Sequence, residues 1–353
     1  MQKLNPNKIL CCLRIGFLCG FMFVVLVPCL AQADTLTLLN QAKNANAERY
    51  QFAVDKGAEI SATNDNKAFS IWWQPSNSKP SAVIVTLHGH DSYATDEFFL
   101  WQSYASKRNF AILALQWWFG AGETASDYYA PQDMYPIIAE ILTAKGVTPG
   151  AVLFHGYSRG SANSYAMAAL DSISGNRFFT MTLSNSGGAA TDFSPNQQIE
   201  SGLFGSKPFS GMQWAMYCGG KDPDPNTSGC PGMKKSKDWV IKYGATMTLF
   251  LEDPNGGHGG FHTNPANVEA VLAKFVPVNR YADVDKVFDW AEKQYSALLS
   301  PPAVSRLGSG YYYRCYTGAV CIGAKNDTLF LYQAGKIQTV GTTADYLAGI
   351  QNP

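Results

Sequence analysis

Short apolar segments alternate with helical segments along most of this 353-residue chain, and this alternation limits the possible fold more than any other feature. Residues 82–87, 110–116 and 178–183 are apolar runs of strand length, separated by longer stretches with helical spacing of apolar residues. Such alternation is typical of a parallel sheet covered by helices on both faces. The sequence therefore predicts an α/β protein with a mostly parallel central sheet flanked by helices.

The same patterns predict the order of the elements along the chain. An antiparallel pair of strands is expected to open the sheet, and a helix is expected to follow its last strand. The predicted strands are 50–54, 68–73, 82–87, 110–116, 151–154, 178–183, 213–218 and 246–251, and the predicted helices are 97–107, 136–144, 161–170, 266–275 and 283–299.

Residues 1–33 have the three parts of a cleaved signal peptide. A start with three basic residues precedes an apolar stretch at 15–30, and Ala31-Gln32-Ala33 is a small-residue cleavage site. A membrane anchor is the alternative, but this apolar stretch is short for a span and is interrupted by Pro28. We therefore expect a secreted or periplasmic protein without a stable membrane anchor after cleavage.

The cysteines that follow the signal segment are even in number. Cys218, Cys230, Cys315 and Cys321 remain of the eight in the chain, and in an oxidising compartment they predict two disulfides. Of three possible connectivities, Cys218–Cys230 and Cys315–Cys321 are favoured because each closes a short loop that contains glycine. A zinc site is the alternative, but the spacings match none of the usual paired-cysteine patterns.

After Pro301-Pro302 the chain changes character. We predict a small antiparallel β-rich appendage at 301–353 beside a main domain of residues 34–300. An appendage of this size buries little core of its own, so capping of the main domain is the expected role and surface or carbohydrate binding the alternative. The strand-like segments are 310–316, 319–325, 328–333 and 336–342.

A serine lies at the junction of one predicted strand and the helix that follows it. The segment AVLFHGYSRGSANSYAMAAL, residues 151–170, places Ser158 in Gly156-Tyr157-Ser158-Arg159-Gly160. This motif matches the G-x-S-x-G nucleophile elbow, and the chain resembles the serine hydrolases of the α/β-hydrolase fold. In such an elbow a sharp turn strains the serine backbone and exposes its hydroxyl, and the flanking glycines avoid clashes.

The resemblance implies an acid and then a histidine after the serine. His258, in the glycine-rich LEDPNGGHGGFH after the last predicted strand, is the predicted base, and His262 is the alternative. Glycines on both sides of His258 are expected to let its imidazole reach the serine.

The acid is expected after the preceding strand. In MYCGGKDPDP, Asp222 is the predicted acid and Asp224 its near alternative; Asp192 and Asp253 are weaker candidates. An acid here would hold the imidazole in its working tautomer. The Cys218–Cys230 bridge would clamp this loop.

Two backbone N–H groups are needed to stabilise an oxyanion. The resemblance implies those of Arg159, directly after the nucleophile, and of His90, in the loop His88-Gly89-His90-Asp91. The side chain of His88 is expected to hold this loop, and His155 to support the elbow. The loop also resembles part of a metal-ligand set, but a completing histidine is missing, so neither a metal nor another cofactor is implied.

The sequence says less about the substrate. Aromatic residues after one strand predict a pocket for an acyl or aromatic group, with a packed covering loop as the alternative. The formal net charge is zero and no basic cluster stands out, so a nucleic-acid partner is not supported. We expect a small-molecule or polymeric ester as substrate; a peptidase of the same fold and a non-catalytic binding protein are the alternatives. The predicted pocket residues are Trp117, Trp118, Tyr128 and Tyr129.

Overall fold

The computed structural model describes most of the chain after the predicted signal segment, which lies outside the described residues. Within the described part, no helix combines the length and the apolar character that a membrane crossing requires. The described ranges are 35–75, 79–279, 282–294, 302–308, 311–316, 320–325, 328–333 and 335–351.

A large sheet forms the centre of the molecule. Its inner strands are buried along their whole length, because continuous apolar runs such as AVIVTL and FAILAL need cover on both faces. Its strands are β1 (Glu59–Ala62), β2 (Phe69–Trp73), β3 (Ala82–Leu87), β4 (Phe110–Leu115), β5 (Val152–Tyr157), β6 (Phe179–Asn185), β7 (Gln213–Gly219) and β8 (Thr246–Asp253).

The order of these strands is β1-β2-β4-β3-β5-β6-β7-β8. β2 pairs antiparallel with β1 and with β4, and all other neighbours are parallel. This is the topology of the α/β-hydrolase fold, so the fold class predicted from the sequence is confirmed. In such a sheet, sites form where the loops leave the carboxyl ends of the strands.

Helices flank this sheet, and most of them connect consecutive strands. A short 3-10 turn at Ala125–Asp127 precedes one of them. The helices are α1 (Thr35–Ala45), α2 (Ala47–Asp55), α3 (Ala94–Arg108), α4 (Pro131–Ala144), α5 (Arg159–Ser174), α6 (Ser194–Glu200), α7 (Cys230–Lys242), α8 (Gly260–Thr263) and α9 (Pro265–Lys274).

One predicted strand is wrong. Residues 50–54 belong to helix α2, and the antiparallel partner of β2 is 59–62 instead. A short run such as YQFAV, which is apolar apart from Gln51, fits a strand and a helix equally well. The Asn46 side chain favours the helix, because its oxygen accepts a hydrogen bond from the Arg49 N–H and caps the first turn.

The predicted antiparallel appendage is confirmed as a five-stranded sheet in which consecutive strands are neighbours. Cys315 and Cys321, opposite each other on adjacent strands, are joined by a disulfide. The strands are β9 (Pro302–Gly308), β10 (Tyr311–Tyr316), β11 (Val320–Lys325), β12 (Thr328–Gln333) and β13 (Lys336–Thr342), followed by helix α11 (Thr343–Gln351).

Helix α10 (Ala282–Gln294) packs on this second sheet although it precedes residue 301. Arg314 of β10 donates hydrogen bonds to Asp285, Asp289 and Glu292 of the helix. The ring of Phe288 stacks on Tyr312 at a centroid distance of 5.8 Å. The division into domains at residues 34–300 and 301–353 stays a prediction.

The buried carboxylate of Asp171 joins the end of α5 to the start of β6, next to the strand that carries the elbow. It accepts the N–H groups of Phe178 and Phe179, each at 2.9 Å, and the Tyr135 hydroxyl at 3.0 Å. Asp171 therefore fixes where β6 begins relative to α5.

We expect Asp171→Ala to lower the free energy of unfolding by about 3 kcal/mol, because two buried N–H groups lose a charged acceptor. Urea denaturation measures the change. Asp238→Ala, whose side chain is 77% exposed, is the control and should change stability little. Equal unfolding midpoints for the two variants would contradict the role given to Asp171.

Candidate active site

Ser158 lies in the turn between β5 and α5. Its backbone has φ 54° and ψ −117°, a conformation that a residue with a side chain rarely adopts. The turn is held because the Ser158 N–H donates to the Asn185 carbonyl at 2.8 Å and the Ser158 carbonyl accepts the Ala162 N–H at 3.0 Å. The predicted strand, turn and helix are thus all present around this serine.

The two glycines of the motif are required by close packing. A Cβ atom at Gly156 would lie 2.2 Å from the Gly160 carbonyl oxygen. A Cβ atom at Gly160 would lie 2.5 Å from the carbonyl oxygen of Leu87, at the end of β3. Both distances are shorter than van der Waals contact, so no larger residue fits at either position without a backbone shift.

Three of the predicted side chains meet at the elbow. The Ser158 hydroxyl lies 2.8 Å from His258 Nε2, and His258 Nδ1 lies 2.8 Å from Asp222 Oδ2. In the tautomer with the proton on Nδ1, the N–H donates a hydrogen bond to the carboxylate. Nε2 then accepts a hydrogen bond from the serine hydroxyl. The Asp222 side chain is 1% exposed, whereas that of His258 is 33% exposed.

The loop after β7 presents Asp222 rather than Asp224. The second oxygen of Asp222 accepts the Asp224 N–H at 3.0 Å and the Ser228 hydroxyl at 2.9 Å. Asp224 instead accepts the N–H of Thr227 within the same turn. A disulfide joins Cys218, in β7, to Cys230, at the start of α7, and so closes this loop.

The glycine-rich loop that carries His258 packs tightly on Tyr217. A Cβ atom at either Gly256 or Gly260 would lie 2.2 Å from the Tyr217 hydroxyl oxygen. These glycines are therefore needed for the approach of the loop to β7. The sequence predicted these glycines only for the reach of the imidazole, and the structure adds this packing contact.

His155 and His262 lie behind the elbow. His155 is fully buried and contacts the Thr86 hydroxyl at 2.8 Å and the Trp101 indole N–H at 3.2 Å. His262 packs its ring edge-on against Trp101 with 4.9 Å between centroids. His262 thus lies in a buried cluster, and the histidine hydrogen-bonded to Ser158 is His258.

The loop after β3 lies beside the serine. A Cβ atom at Gly89 would be 3.2 Å from Ser158 Cβ, so the backbone of residues 88–90 runs close to the hydroxyl. The buried His88 ring contacts the Gly89 carbonyl through Nδ1 at 2.8 Å, and the Trp117 indole N–H donates to the His88 carbonyl at 3.0 Å. His88 and Trp117 together hold this loop, as the sequence predicted for His88.

The predicted aromatic residues divide into two groups. Trp117, Tyr128 and Tyr129 line a cleft of about 570 Å³ that also contains Arg159. Trp118 does not line this cleft, because its indole N–H donates to the Gly122 carbonyl and its ring packs on Tyr93.

Sequence reasoning missed several residues of this cleft. Glu123, Asn163 and Phe193 carry no motif, and no sequence signal places them beside Arg159 in the cleft wall. Asp192, considered above as an acid, lies in the cleft wall. Among the residues that the structure describes, no group of three or more His, Cys, Asp or Glu side chains is arranged to hold a metal ion.

No protein-family model matches the chain, and no curated protein is similar to it. Solved structures with a related fold include an esterase from Pyrobaculum calidifontis, at 14% identity over 69% of this chain and 92% of that chain, with a TM-score of 0.47. A carboxylesterase from Mesorhizobium loti has 14% identity over 61% of this chain and 98% of that chain, with a TM-score of 0.45. The fold assignment rests on the strand order described above.

Two of the buried histidines make stability depend on pH. Burial lowers the pKa of His88 to about 4 and that of His262 to about 3, so both are neutral near pH 7. In the unfolded chain a histidine takes up its proton near pH 6.5. The unfolded state therefore binds more protons as the pH falls, and the folded state is destabilised below about pH 6.5.

We expect His262→Leu to flatten this pH dependence by up to about 1.4 kcal/mol per pH unit between pH 6.5 and the folded pKa. Urea denaturation at a series of pH values measures the slope. The slopes of variant and wild type should agree between pH 7.5 and 8.5, where neither state takes up protons at this residue. A variant as sensitive as the wild type below pH 6 would contradict the burial of a neutral His262.

Proposed function

We propose that this protein is a serine hydrolase that cleaves carboxylic esters through an acyl-enzyme on Ser158. The observation that carries the proposal is the pair of 2.8 Å hydrogen bonds that link Ser158 to His258 and His258 to Asp222. This arrangement is the one that turns a weakly nucleophilic hydroxyl into an attacking oxygen.

The proposed reaction has two halves. Ser158 Oγ attacks the acyl carbon while its proton moves to His258 Nε2, and the tetrahedral intermediate collapses as that proton passes to the departing alcohol. Water then attacks the acyl-enzyme and gives its proton to His258, which passes it to the departing Ser158 Oγ as the carboxylic acid is released. Asp222 holds the imidazole in position and stabilises its positive form in both halves.

The oxyanion of both halves is assigned to the backbone N–H groups of Arg159 and His90. Arg159 is the first residue of α5, where an N–H has no partner within the helix and the helix dipole favours negative charge. The closeness of Gly89 to Ser158 supports a second donor from residue His90.

Features of the cleft favour an ester over a peptide as the substrate. Its walls include Trp117, Tyr128 and Phe193, which suit an apolar acyl or aromatic group. A small-molecule or polymeric ester is the proposed substrate, and a peptidase is the second candidate. Secretion or export to the periplasm is part of the proposal, because two disulfides are typical of an oxidising compartment.

A fluorophosphonate probe should label the mature wild-type protein, and Ser158→Ala should abolish the labelling because the attacking oxygen is removed. Gel fluorescence and mass spectrometry of the labelled peptide provide the measurement. Wild-type protein that stays unlabelled would favour a non-catalytic binding protein. Comparison of p-nitrophenyl esters with aminoacyl anilides then separates an esterase from a peptidase.

Asp222→Asn should lower kcat for a p-nitrophenyl ester by roughly 10⁴-fold, because an amide cannot hold the working tautomer of His258. Asp224→Asn is the matched control, and it should change kcat less than about threefold because the amide oxygen still accepts the Thr227 N–H. A larger loss in Asp224→Asn than in Asp222→Asn would reassign the acid.

A further inference from the structure

The segment between β4 and α4 follows the edge of the cleft. Trp118 and Tyr128 form an isolated antiparallel bridge, and the Phe119 N–H donates to the Asp127 carbonyl at 2.9 Å. The Asp127 carboxylate accepts the Thr124 N–H at 2.7 Å, which fixes the turn after Glu123. The backbone around Glu123 is therefore held from both sides.

The carboxylate of Glu123 contacts His90, Arg159 and, at 3.5 Å, the Tyr128 hydroxyl. Its Oε2 atom lies 2.5 Å from His90 Nε2 and 2.8 Å from the Arg159 guanidinium. Desolvation works to raise the pKa of Glu123, but the His90 hydrogen bond and the Arg159 charge lower it overall, so the group is ionised near neutral pH. One carboxylate oxygen thus joins the loop after β3 to the start of α5.

The Arg159 guanidinium also contacts Tyr128. Besides Glu123, its guanidinium donates to the Tyr128 hydroxyl at 2.7 Å and lies 5.1 Å from the centroid of that ring. These contacts hold the side chain against the cleft wall.

We propose that Glu123 is a positioning residue that fixes His90 and Arg159, the two oxyanion-hole residues, relative to each other. The inference rests on the proposed function, because it concerns the same two N–H donors. Such donors act over a narrow range of distances, and a displacement of about 1 Å can cost on the order of 100-fold in rate. A carboxylate bound to both side chains restricts the separation of their backbones.

The test compares Glu123→Ala and Glu123→Gln with Glu59→Gln. Glu59 is a matched control, because its side chain is 56% exposed against 51% for Glu123 and it forms an ion pair with Lys145 outside the cleft. We expect Glu123→Ala to lower kcat for a small p-nitrophenyl ester and the rate of fluorophosphonate labelling by roughly tenfold, with KM unchanged within about twofold. Glu123→Gln, which keeps an acceptor oxygen, should lose less, and Glu59→Gln should match the wild type.

A triple variant tests whether Glu123 affects the rate through its contacts with His90 and Arg159. In a His90→Ala, Arg159→Met background, which keeps both backbone N–H groups, Glu123→Ala should change the labelling rate less than about twofold. Thermal midpoints of the single variants should stay within about 2 °C of the wild type, because exposed ion pairs contribute little stability.

Two results would overturn the inference. Wild-type rates in Glu123→Ala would remove the positioning role, and a raised KM with an unchanged kcat would make Glu123 part of the substrate-binding wall instead. In both cases the proposed function still stands if the probe labels the wild-type protein. Failure of the wild type to react with the probe would reject the proposed function and this inference together.

Discussion

The positive φ of Ser158 is the constraint on which the site depends. A serine in this conformation costs of order 1–3 kcal/mol and persists only where its surroundings fix the backbone. Here the fixing contacts come from three neighbouring strands. Leu87 of β3 packs against Gly160, β5 leads into the turn, and the Asn185 carbonyl of β6 accepts the Ser158 N–H. The strain is therefore supported by the most deeply buried part of the sheet.

The three side chains that are hydrogen-bonded at the elbow could be picked out from the sequence because each lies in a loop with a local signature. The glycines around Ser158 and His258 and the prolines around Asp222 are visible without a structure. The buried strands could also be predicted, because their short apolar runs alternate with longer segments of helical spacing. Residues 50–54 were assigned to the wrong element, because five residues fit both the strand and the helix period. The cap at Asn46 is the feature that favours the helix.

Other parts of the site could not be predicted, because they depend on tertiary placement. Glu123 is an exposed acid in a segment with no motif, and nothing in its sequence neighbours points to His90 or Arg159. Trp117 and Trp118 are adjacent and chemically identical, yet the first lines the cleft and the second turns toward Tyr93. The aromatic content of a segment predicts a packed region and does not say which ring faces a substrate.

The carboxylates of Asp222 and Glu123 differ in how deeply they are buried. Asp222 is buried, so each of its oxygens must be satisfied, and the His258 ring, the Asp224 N–H and the Ser228 hydroxyl do so within a loop closed by a disulfide. Glu123 is half exposed, so water replaces any contact it loses at little cost. The position of His258 is therefore fixed by contacts with a buried carboxylate, whereas His90 and Arg159 are joined through an exposed ion pair. Under the proposed function, changes in the exposed loop that carries Glu123 would alter the oxyanion side while the buried contacts of Asp222 stay unchanged.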